Sequence, residues 1–551
     1  VRNIPRHIGT HPGGVVITPR PIWEYTHIEV SPLGLPVIAW EKDAAEDAGL
    51  VKIDLLGNRS LAVLRDTLKL VNKKRRTAIE WEGFQPNTDG RTRNYIESGE
   101  TMGIFYIESP ATRQLLHKMR RADFPHLVVA SSIIRPAANR YINEYVARLH
   151  GKSYRGLMPE IDEALAETHG IMVYQEDVSR VAIAAAGFSA AEADGLRKVL
   201  SRKDRDRRLS AYRERFYSGC RRKQVAPAVI GELWNMILSF DGYSFCKSHS
   251  ASYAMLSYKL AYLKCRYPLE FLCSVINNGG GFYSRQVYLN MVRRLGFDIR
   301  GPDVNKSSSA YTVENASLRI GLSQIRELSA PFLQKILDAR SEGGPFSDLK
   351  DFNARTAPSY SQIRMLVRSG SLDSIAGGLS RPQMFWYYMQ LGRGREEELI
   401  PSVPQAPSCI GDYRDITKIH DELKTLDLII SRHALEVFQP RIDAYTAADG
   451  KYPCIDSGSI RHYKGRMVRI PGIMVTGKEV LTKNRDAMCF VSFEDPKGVF
   501  ETVVFPGRYR DFEPLLDFGR AFIVSGMVCE DAGAYSIRVE ELFPLNRRNS
   551  K

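Results

Sequence analysis

Apolar residues recur at two different spacings along the chain, and the change from one to the other divides it. Residues 1–60 read as strands and tight turns. In THPGGVVIT a Pro-Gly-Gly turn feeds a β-branched run, which predicts a turn followed by a strand. AGLVKIDLLG predicts a second strand, and SLAVLRDTLKLVNKKRR, apolar at helical spacing, predicts a helix. Residues 61 to about 280 read as mainly helical. EIDEALAETHGIMVYQEDVSRVAIAAAGFS predicts a helix stopped by Gly170 and a longer one beyond it. AEADGLRKVLSRKDRDRRLSAYRERFYSGCRRKQ predicts a very basic helical stretch, and ASYAMLSYKLAYLKCRYPLEF a helix ended by Tyr267-Pro268. Residues 281–395 read as short helices with Gly-rich joints, and REEELIPSVPQAPS as a charged, then Pro-rich linker. From about residue 460 the spacing becomes that of strands: RMVRIPGIMVTGKEVL, DAMCFVSFEDP, VFETVVFP and RAFIVSGMVCED alternate or run apolar between turn residues. Such a run of short strands predicts a small barrel.

Composition adds bounds. A chain of 551 residues holds about three or four domains at roughly 150 residues each. With 44% hydrophobic and 25% charged residues it is globular, and no apolar run approaches the ~20 residues of a membrane span. VRNIPRHIGTHPGG has no apolar core of a secretory signal. The first residue is Val1 rather than Met, so a missing N-terminal part is expected. The net charge of +14 favours a polyanionic partner, and nucleic acid is the commonest one. The eight cysteines (Cys220, Cys246, Cys265, Cys273, Cys409, Cys454, Cys489 and Cys529) show no CxxC pair. That speaks against a zinc ribbon and for reduced thiols in a cytoplasmic protein.

Four stretches carry candidate chemistry. Between residues 196 and 223 lie Arg197, Lys198, Arg202, Lys203, Arg205, Arg207, Arg208, Arg213, Arg215, Arg221, Arg222 and Lys223. They form either a solvated helix face or a phosphate-contacting one, and the few interrupting acids favour phosphate. GYSFCKSHSASYA sets Lys247, Ser248, His249, Ser250 and Tyr253 just before a helix. This is either an anion site or an N-cap made by Ser248 or Ser250. THPGG places His11 at a glycine turn. In GLVKIDLLGNRSL one carboxylate, Asp54, interrupts an apolar strand. An unpaired buried acid is costly, so Asp54 is expected to have a cation such as Lys52 or Arg59, or a metal ion, beside it. On the barrel, Lys464, Arg466, Lys478, Lys483, Arg485, Phe490 and Phe493 are candidate strand-binding groups, and core is the favoured reading of the two phenylalanines.

The order of motifs then becomes specific. HIGTHPGGVVIT, AGLVKIDLLGNRSL, GIFYIES, IIRPAANRYINEY, THGIMVYQEDV, AEADGLRKVLSRK, GYSFCKSHSASYA and RYPLEFLCSVI follow one another. After them come GPDVNKS, RIGLSQIREL, LVRSGSLDSI and IPGIMVTGKEVLTKNRDAMCFVSFEDPKGVFETVVFPGRY. The series resembles the bacterial DNA polymerase III alpha subunits, the C-family DNA polymerases, over essentially the whole chain. The resemblance implies a multidomain α+β protein. Residues 1–60 would be the end of a palm, 61–280 fingers, 281–395 a tandem helix-hairpin-helix and clamp-binding-like region, 396–458 a linker and 459–551 an OB-fold barrel. It implies a palm with three aspartates holding two Mg²⁺ ions, of which Asp54 matches the third while the other two lie upstream of this chain. It implies template-directed attack of a primer 3′-hydroxyl on a dNTP. Arg197, Lys198, Lys247 and His249, and also Arg113, Arg135 and Tyr174, would bind the nucleotide, with Gln175 near nucleotide or DNA. Arg202, Lys203, Arg205, Arg207, Arg208, Lys464, Lys483 and Arg485 would bind DNA. The implied partners are primer–template DNA, dNTPs, a sliding clamp and other replisome or mutasome subunits, with no membrane. The alternatives are a catalytically inactive DNA-binding accessory and one half of a split polymerase. Some positions depart from the family pattern. Arg135-Pro136-Ala137-Ala138 stands where replicative members read RPGP, and CKSHSASYA where NKSHS is usual; both lean towards a divergent or error-prone branch, for which translesion synthesis is the expected role. Leu328-Ser329 occupies a hairpin turn that favours glycine, and RPQMFWYYM is the one candidate clamp peptide.

Overall fold

A computed structural model describes residues 9–11, 13–74, 78–135, 139–200, 206–240, 245–393, 407–448, 450–482 and 484–545. The chain divides into two compact units, Val1–Ala62 and Val63–Lys551.

The first unit holds β1 (Gly14–Ile17), β2 (Ile28–Val30), β3 (Pro36–Ile38), α1 (Lys42–Asp47) and β4 (Val51–Asp54). β1 pairs antiparallel with β4, Gly14 opposite Asp54 and Ile17 opposite Val51. β2 and β3 form a hairpin. The expected strands are present, but the expectation of a buried acid is corrected: Asp54 and its neighbours Val51, Ile53, Leu55 and Leu56 are all exposed. A two-stranded ribbon has no opposing layer to cover its faces.

The second unit begins with helices. They are α2 (Arg59–Lys74), α3 (Gly90–Glu97), α4 (Pro110–Met119), α5 (Phe124–Ile133), α6 (Asn139–Leu149), α7 (Pro159–Ala164) and α8 (Gln175–Ala186). There follow α9 (Ala190–Leu200), α10 (Asp206–Arg222), α11 (Pro227–Leu238), α12 (Lys247–Arg266), α13 (Pro268–Asn277) and α14 (Arg285–Arg294). Their starts are legible: Asp89, Ser109 and Asp123 accept backbone N–H groups at the heads of α3, α4 and α5. α12 stops at Arg266, and Pro268 opens α13, as Tyr267-Pro268 predicts. Helices α7–α11 enclose their own core around Val181, Leu196, Phe216 and Leu233. The other helices share the main core, where α12 is covered on nearly every side.

That burial takes in one charge. Lys264 of α12 is buried, and its Nζ donates to the Glu100 carbonyl at 2.7 Å. Burial pushes its ammonium down to about 7 from the ordinary 10.5. Between these values the folded chain binds fewer protons than the unfolded one, so this group makes stability rise with pH. Lys264→Met is therefore expected to be more stable than wild type at pH 7, the gap closing by about 2 kcal/mol towards pH 9. Denaturant melts of both proteins at the two pH values check this; a gap that does not change with pH contradicts it.

A small sheet, order β5-β7-β6, follows from β5 (Asp298–Arg300), β6 (Thr312–Glu314) and β7 (Ser317–Arg319). Then come α15 (Ala330–Gly343), α16 (Leu349–Thr356), α17 (Tyr360–Arg368) and α18 (Arg381–Arg393). In the turn before α15 the positive φ falls on Glu327, at 60°, a conformation that usually selects glycine. RPQMFWYYM lies in α18 with Met384 and Tyr387 buried. Of the stretch read as a linker, residues 394–406 lie outside the described residues. Beyond them α19 (Asp415–Leu426) and α20 (Gln439–Ala448) are packed elements that bury Ile419, Leu426 and Ile442.

The barrel forms from β8 (Met467–Leu481), β9 (Ala487–Glu494), β10 (Val499–Val504), α21 (Pro506–Phe512), β11 (Ala521–Asp531) and β12 (Ala534–Pro544). It closes in the order β10-β12-β11-β8-β9, β10 and β12 pairing in parallel. Phe493 is fully buried against Phe500 and Phe522. Gly472 is required there: a Cβ would sit 2.9 Å from both Phe493 and Phe500. Phe490 corrects the core reading, being 47% exposed. It lies an odd number of residues from Phe493 and so on the opposite face of β9. The barrel is tied to α14, where Arg294 Nη1 donates to Glu494 Oε1 at 2.5 Å and Asn290 Nδ2 to Oε2 at 2.9 Å. All eight cysteines are unbridged, and no helix among the described residues is long and apolar enough to cross a membrane.

Candidate nucleotide and nucleic-acid interface

In the first unit, alternation along β4 puts Lys52 and Asp54 on one face. Lys52 Nζ donates to both Asp54 oxygens, at 2.7 and 2.9 Å. His11 Nδ1 accepts the Gly13 and Gly14 N–H groups at 3.2 and 2.6 Å. This leaves its Nε2 facing Asp54 Oδ1 at 3.8 Å, so the glycine turn fixes the ring beside the acid. The Lys52 hydrogen bond lowers the Asp54 carboxyl below its ordinary range, in the open at 43% side-chain exposure. Of the two cations expected beside Asp54, Lys52 is the one that bonds it.

In the second unit three helix ends converge. α8 starts after Tyr174, where buried Asp177 accepts the N–H groups of Val173 and Tyr174 at 2.9 and 2.8 Å. Gln175 N donates to the Phe245 carbonyl at 3.0 Å, which brings the start of α12 beside the start of α8. Lys247 N donates to Glu176 at 3.2 Å. Its Nζ lies 5.6 Å over the Tyr174 ring and pairs with Glu167. Arg197, in the last turn of α9, donates from Nη1 to Gln175 Oε1 at 2.9 Å and from Nη2 to Asp194 Oδ1 at 2.7 Å. Lys198 Nζ reaches Asp194 Oδ2 at 2.9 Å. Those two cations hold the Asp194 carboxyl below its ordinary range, Lys198 foremost. His249 is exposed on the first turn of α12, its ring 4.1 Å from Tyr253. Neither Ser248 nor Ser250 is the N-cap. Cys246 takes that position without a side-chain bond, and Ser250 is buried, accepting from Ser132 Oγ at 2.7 Å.

Tyr174, Gln175, Arg197, Lys198, Lys247 and His249 thus belong to one neighbourhood. Arg135 lies beneath it: 3% exposed, it donates from Nη2 to the Met172 carbonyl at 3.0 Å and covers the Phe240 ring at 3.6 Å. Burial pulls its guanidinium down to about 10, and its Nε and Nη1 have no hydrogen-bond partner. Pro136 and the two departing residues Ala137 and Ala138 lie outside the described residues. Arg113 stands elsewhere. It is buried in α4, donating to the Gly99 carbonyl at 3.0 Å and to Tyr283 Oη at 3.4 Å, with Glu501 of the barrel 3.9 Å away.

On α10, Arg208, Arg213, Arg221 and Arg222 are exposed. Arg215 pairs with Glu192, and Lys223 Nζ donates to the Ala184 carbonyl at 2.7 Å. Arg202, Lys203, Arg205 and Lys483 lie outside the described residues, as does the side chain of Arg207. On the barrel, Lys464 Nζ is held by Glu530 at 2.7 Å, and Arg485 turns the β8–β9 loop with φ 64°. Phe490 stands opposite Lys478 on the outer face. The docking of α4 and α14 onto β9 and β10 was not legible, because Arg113 and Glu501 share no local pattern.

Family models match in sequence order. Residues 1–57 match the bacterial DNA polymerase III alpha NTPase domain and residues 60–224 the bacterial DNA polymerase III alpha subunit finger domain. Residues 296–384 match a helix-hairpin-helix motif and residues 464–545 an OB-fold nucleic acid binding domain. The DNA polymerase III subunit alpha of Bacillus subtilis is 29% identical over 546 residues, 96% of this chain and 48% of that protein. That of Caulobacter vibrioides is 30% identical, over 94% of this chain and 46% of the other. The error-prone DNA polymerase of Symbiobacterium thermophilum is 28% identical, over 98% and 54%. The chain spans about half the length of the curated relatives it matches. The chain is thus similar, along nearly its whole length, to bacterial DNA polymerase III alpha subunits, with a helical finger domain, a helix-hairpin-helix region and a C-terminal OB-fold barrel.

Proposed function

We propose that this chain supplies the fingers, helix-hairpin-helix and OB parts of a DNA-directed DNA polymerase that extends a primer 3′-hydroxyl from dNTPs. The observation that carries this reading is the meeting of Gln175, Arg197 and Lys247 at three helix ends. A triphosphate needs several cations held at fixed spacing, and a helix N-terminus adds its own partial positive charge. Arg197, Lys198, Lys247 and His249 are the proposed triphosphate contacts. Their present acidic partners, Asp194 and Glu167, keep the charge satisfied until phosphate replaces them. Arg135, under the cluster, is a proposed positioning residue. The exposed arginines of α10 and the Lys478–Phe490–Arg485 end of the barrel are the proposed DNA contacts. Primer–template DNA, a sliding clamp and other replisome or mutasome subunits are the proposed partners. The domain limits proposed are those given by the sequence, with residues 1–60 as the end of a palm, save that α19 and α20 are packed elements rather than linker.

Two-metal nucleotidyl transfer takes more than one carboxylate. Among the described residues no three His, Cys, Asp or Glu side chains stand close enough to hold a metal ion, and Asp54 is engaged by Lys52. The residues described do not form a Mg²⁺ centre by themselves. Asp54 is proposed as the one catalytic carboxylate the chain contributes to such a centre. The same observation favours a second reading, a split half or a DNA-binding accessory. Primer extension tests the readings together: none is expected from the chain alone, and extension at ordinary polymerase rates would contradict the fragment and accessory readings alike.

The nucleotide site has its own test. Arg197→Ala combined with Lys247→Ala is expected to weaken dNTP binding to the primer–template complex by about tenfold or more, the worth of charged hydrogen bonds. Binding of primer–template itself should stay near wild type. Loss of DNA binding with unchanged dNTP binding would place these residues on the duplex.

A further inference from the structure

Both glycines of the THPGG turn are required by what they approach. A Cβ on Gly13 would sit 2.5 Å from the Leu55 carbonyl oxygen, and one on Gly14 would sit 2.9 Å from His11 Nδ1. With only hydrogen there, the Leu55 N–H donates to the Gly13 carbonyl at 2.8 Å. The Gly13 and Gly14 N–H groups both donate to Nδ1. Gly14 lies opposite Asp54 in the β1–β4 register, so the strand pairing itself sets this turn against the acid.

The two N–H groups also decide where the ring carries its proton. Nδ1 accepts both of them and so is unprotonated. The single proton of a neutral imidazole then lies on Nε2. Nε2 faces Asp54 Oδ1 at 3.8 Å, and a carboxylate favours a donor there. His11 is therefore a donor with a fixed aim. An imidazole as open as this one, at 43% side-chain exposure, would be free to turn without that tether. Lys52 Nζ bonds both Asp54 oxygens, but it hangs on a flexible four-carbon stem, whereas the His11 ring is tied to the backbone.

We propose that His11 is a positioning residue for Asp54: the glycine turn locks its ring in the Nε2–H form, and that N–H keeps the carboxylate facing one way when Lys52 swings off it. The inference rests on the reading of Asp54 as a catalytic carboxylate and adds the residue that orients it. The test is NMR of the full chain at about pH 9, above the ordinary imidazole range, with isotope labels on histidine nitrogens and aspartate carboxyl carbons. His11→Asn and Asp54→Asn identify the two signals by their loss. Wild type should show His11 as the single Nε2–H tautomer, and Gly14→Ala, which sets a methyl against Nδ1, should turn it into a mixture. Two substitutions then separate holding the acid from holding the turn. In His11→Asn the side-chain oxygen can still accept the N–H groups of the turn, but no ring N–H is left. In His11→Ala both are lost. The Asp54 carboxyl signal should shift in both variants, and shift further when each is combined with Lys52→Met. A shift confined to His11→Ala would mean that His11 only caps the turn and would overturn the inference, as would a mixture of tautomers in wild type. Neither signal depends on catalysis, so failure of the Asp54 reading and failure of this inference are told apart.

Discussion

Arg294→Ala is expected to destabilise the second unit by about 3–5 kcal/mol, because it leaves a buried carboxylate without its cation. Glu494 is 2% exposed on the outer face of β9. Burial drives its carboxyl up, and Arg294 is the largest influence holding it down. Asn290 would remain, at 2.9 Å, but an amide supplies one hydrogen bond and no charge. His433 Nε2 lies 4.0 Å from Glu494; burial foremost, with Arg294 and Arg293 nearby, holds its imidazole down to about 4 in the intact protein, and burial and Arg293 remain in the variant to oppose its charging. Thermal and denaturant melts should show the loss, and limited proteolysis should cut more readily around the barrel. Replacing both partners, Arg294→Leu with Glu494→Leu, should recover most of the stability, since no charge is then stranded. A cost below about 1 kcal/mol would show that this ion pair does not hold the barrel.

The second large effect concerns α10. Replacing Arg208, Arg213, Arg221 and Arg222 together by alanine should reduce primer–template affinity on the order of a hundredfold at moderate salt. The log–log salt slope should become shallower by up to about 3–4, each lost phosphate contact removing ~0.9. The four side chains are exposed while Phe216 and Cys220 pack inward. Alanine also keeps the helix, so the fold should be unaffected. Arg215 and Lys223 are left in place because they bond Glu192 and the Ala184 carbonyl. An unchanged slope would make α10 a merely solvated face.

Local pattern made much of this legible. The helical spacing of α2, the Tyr267-Pro268 stop of α12 and four of the five strands of the barrel followed from periodicity and turn chemistry alone. Lys52 is one of two cations expected as the partner of Asp54, and strand parity favours it over Arg59, since residues two apart share a strand face. The exposure of that strand did not follow, because an apolar run does not say whether a second layer covers it. Phe490 and Phe493 could have been separated by parity, one pointing out and one in. Glu327, at positive φ beside Leu328-Ser329, shows a turn closing without the glycine that its geometry favours. Its carboxylate pairs with Arg364 at 3.4 Å and places an acid in a hairpin where a phosphate contact would want a cation. The partners Arg113–Glu501 and Arg294–Glu494 are far apart in sequence, and only the fold brings them together. The helices α19 and α20 hid behind a Pro-rich lead-in that masked the apolar positions beyond it.

The account turns on the incoming nucleotide meeting the ends of α8, α9 and α12. The most direct measurement is photo-crosslinking of an azido-dNTP to the chain bound to primer–template DNA, followed by peptide mapping. The account predicts label on residues 174–198 or 245–253, competed away by unmodified dNTP and lost in the Arg197→Ala, Lys247→Ala double variant. Label that maps elsewhere, or that persists unchanged in that variant, would contradict it.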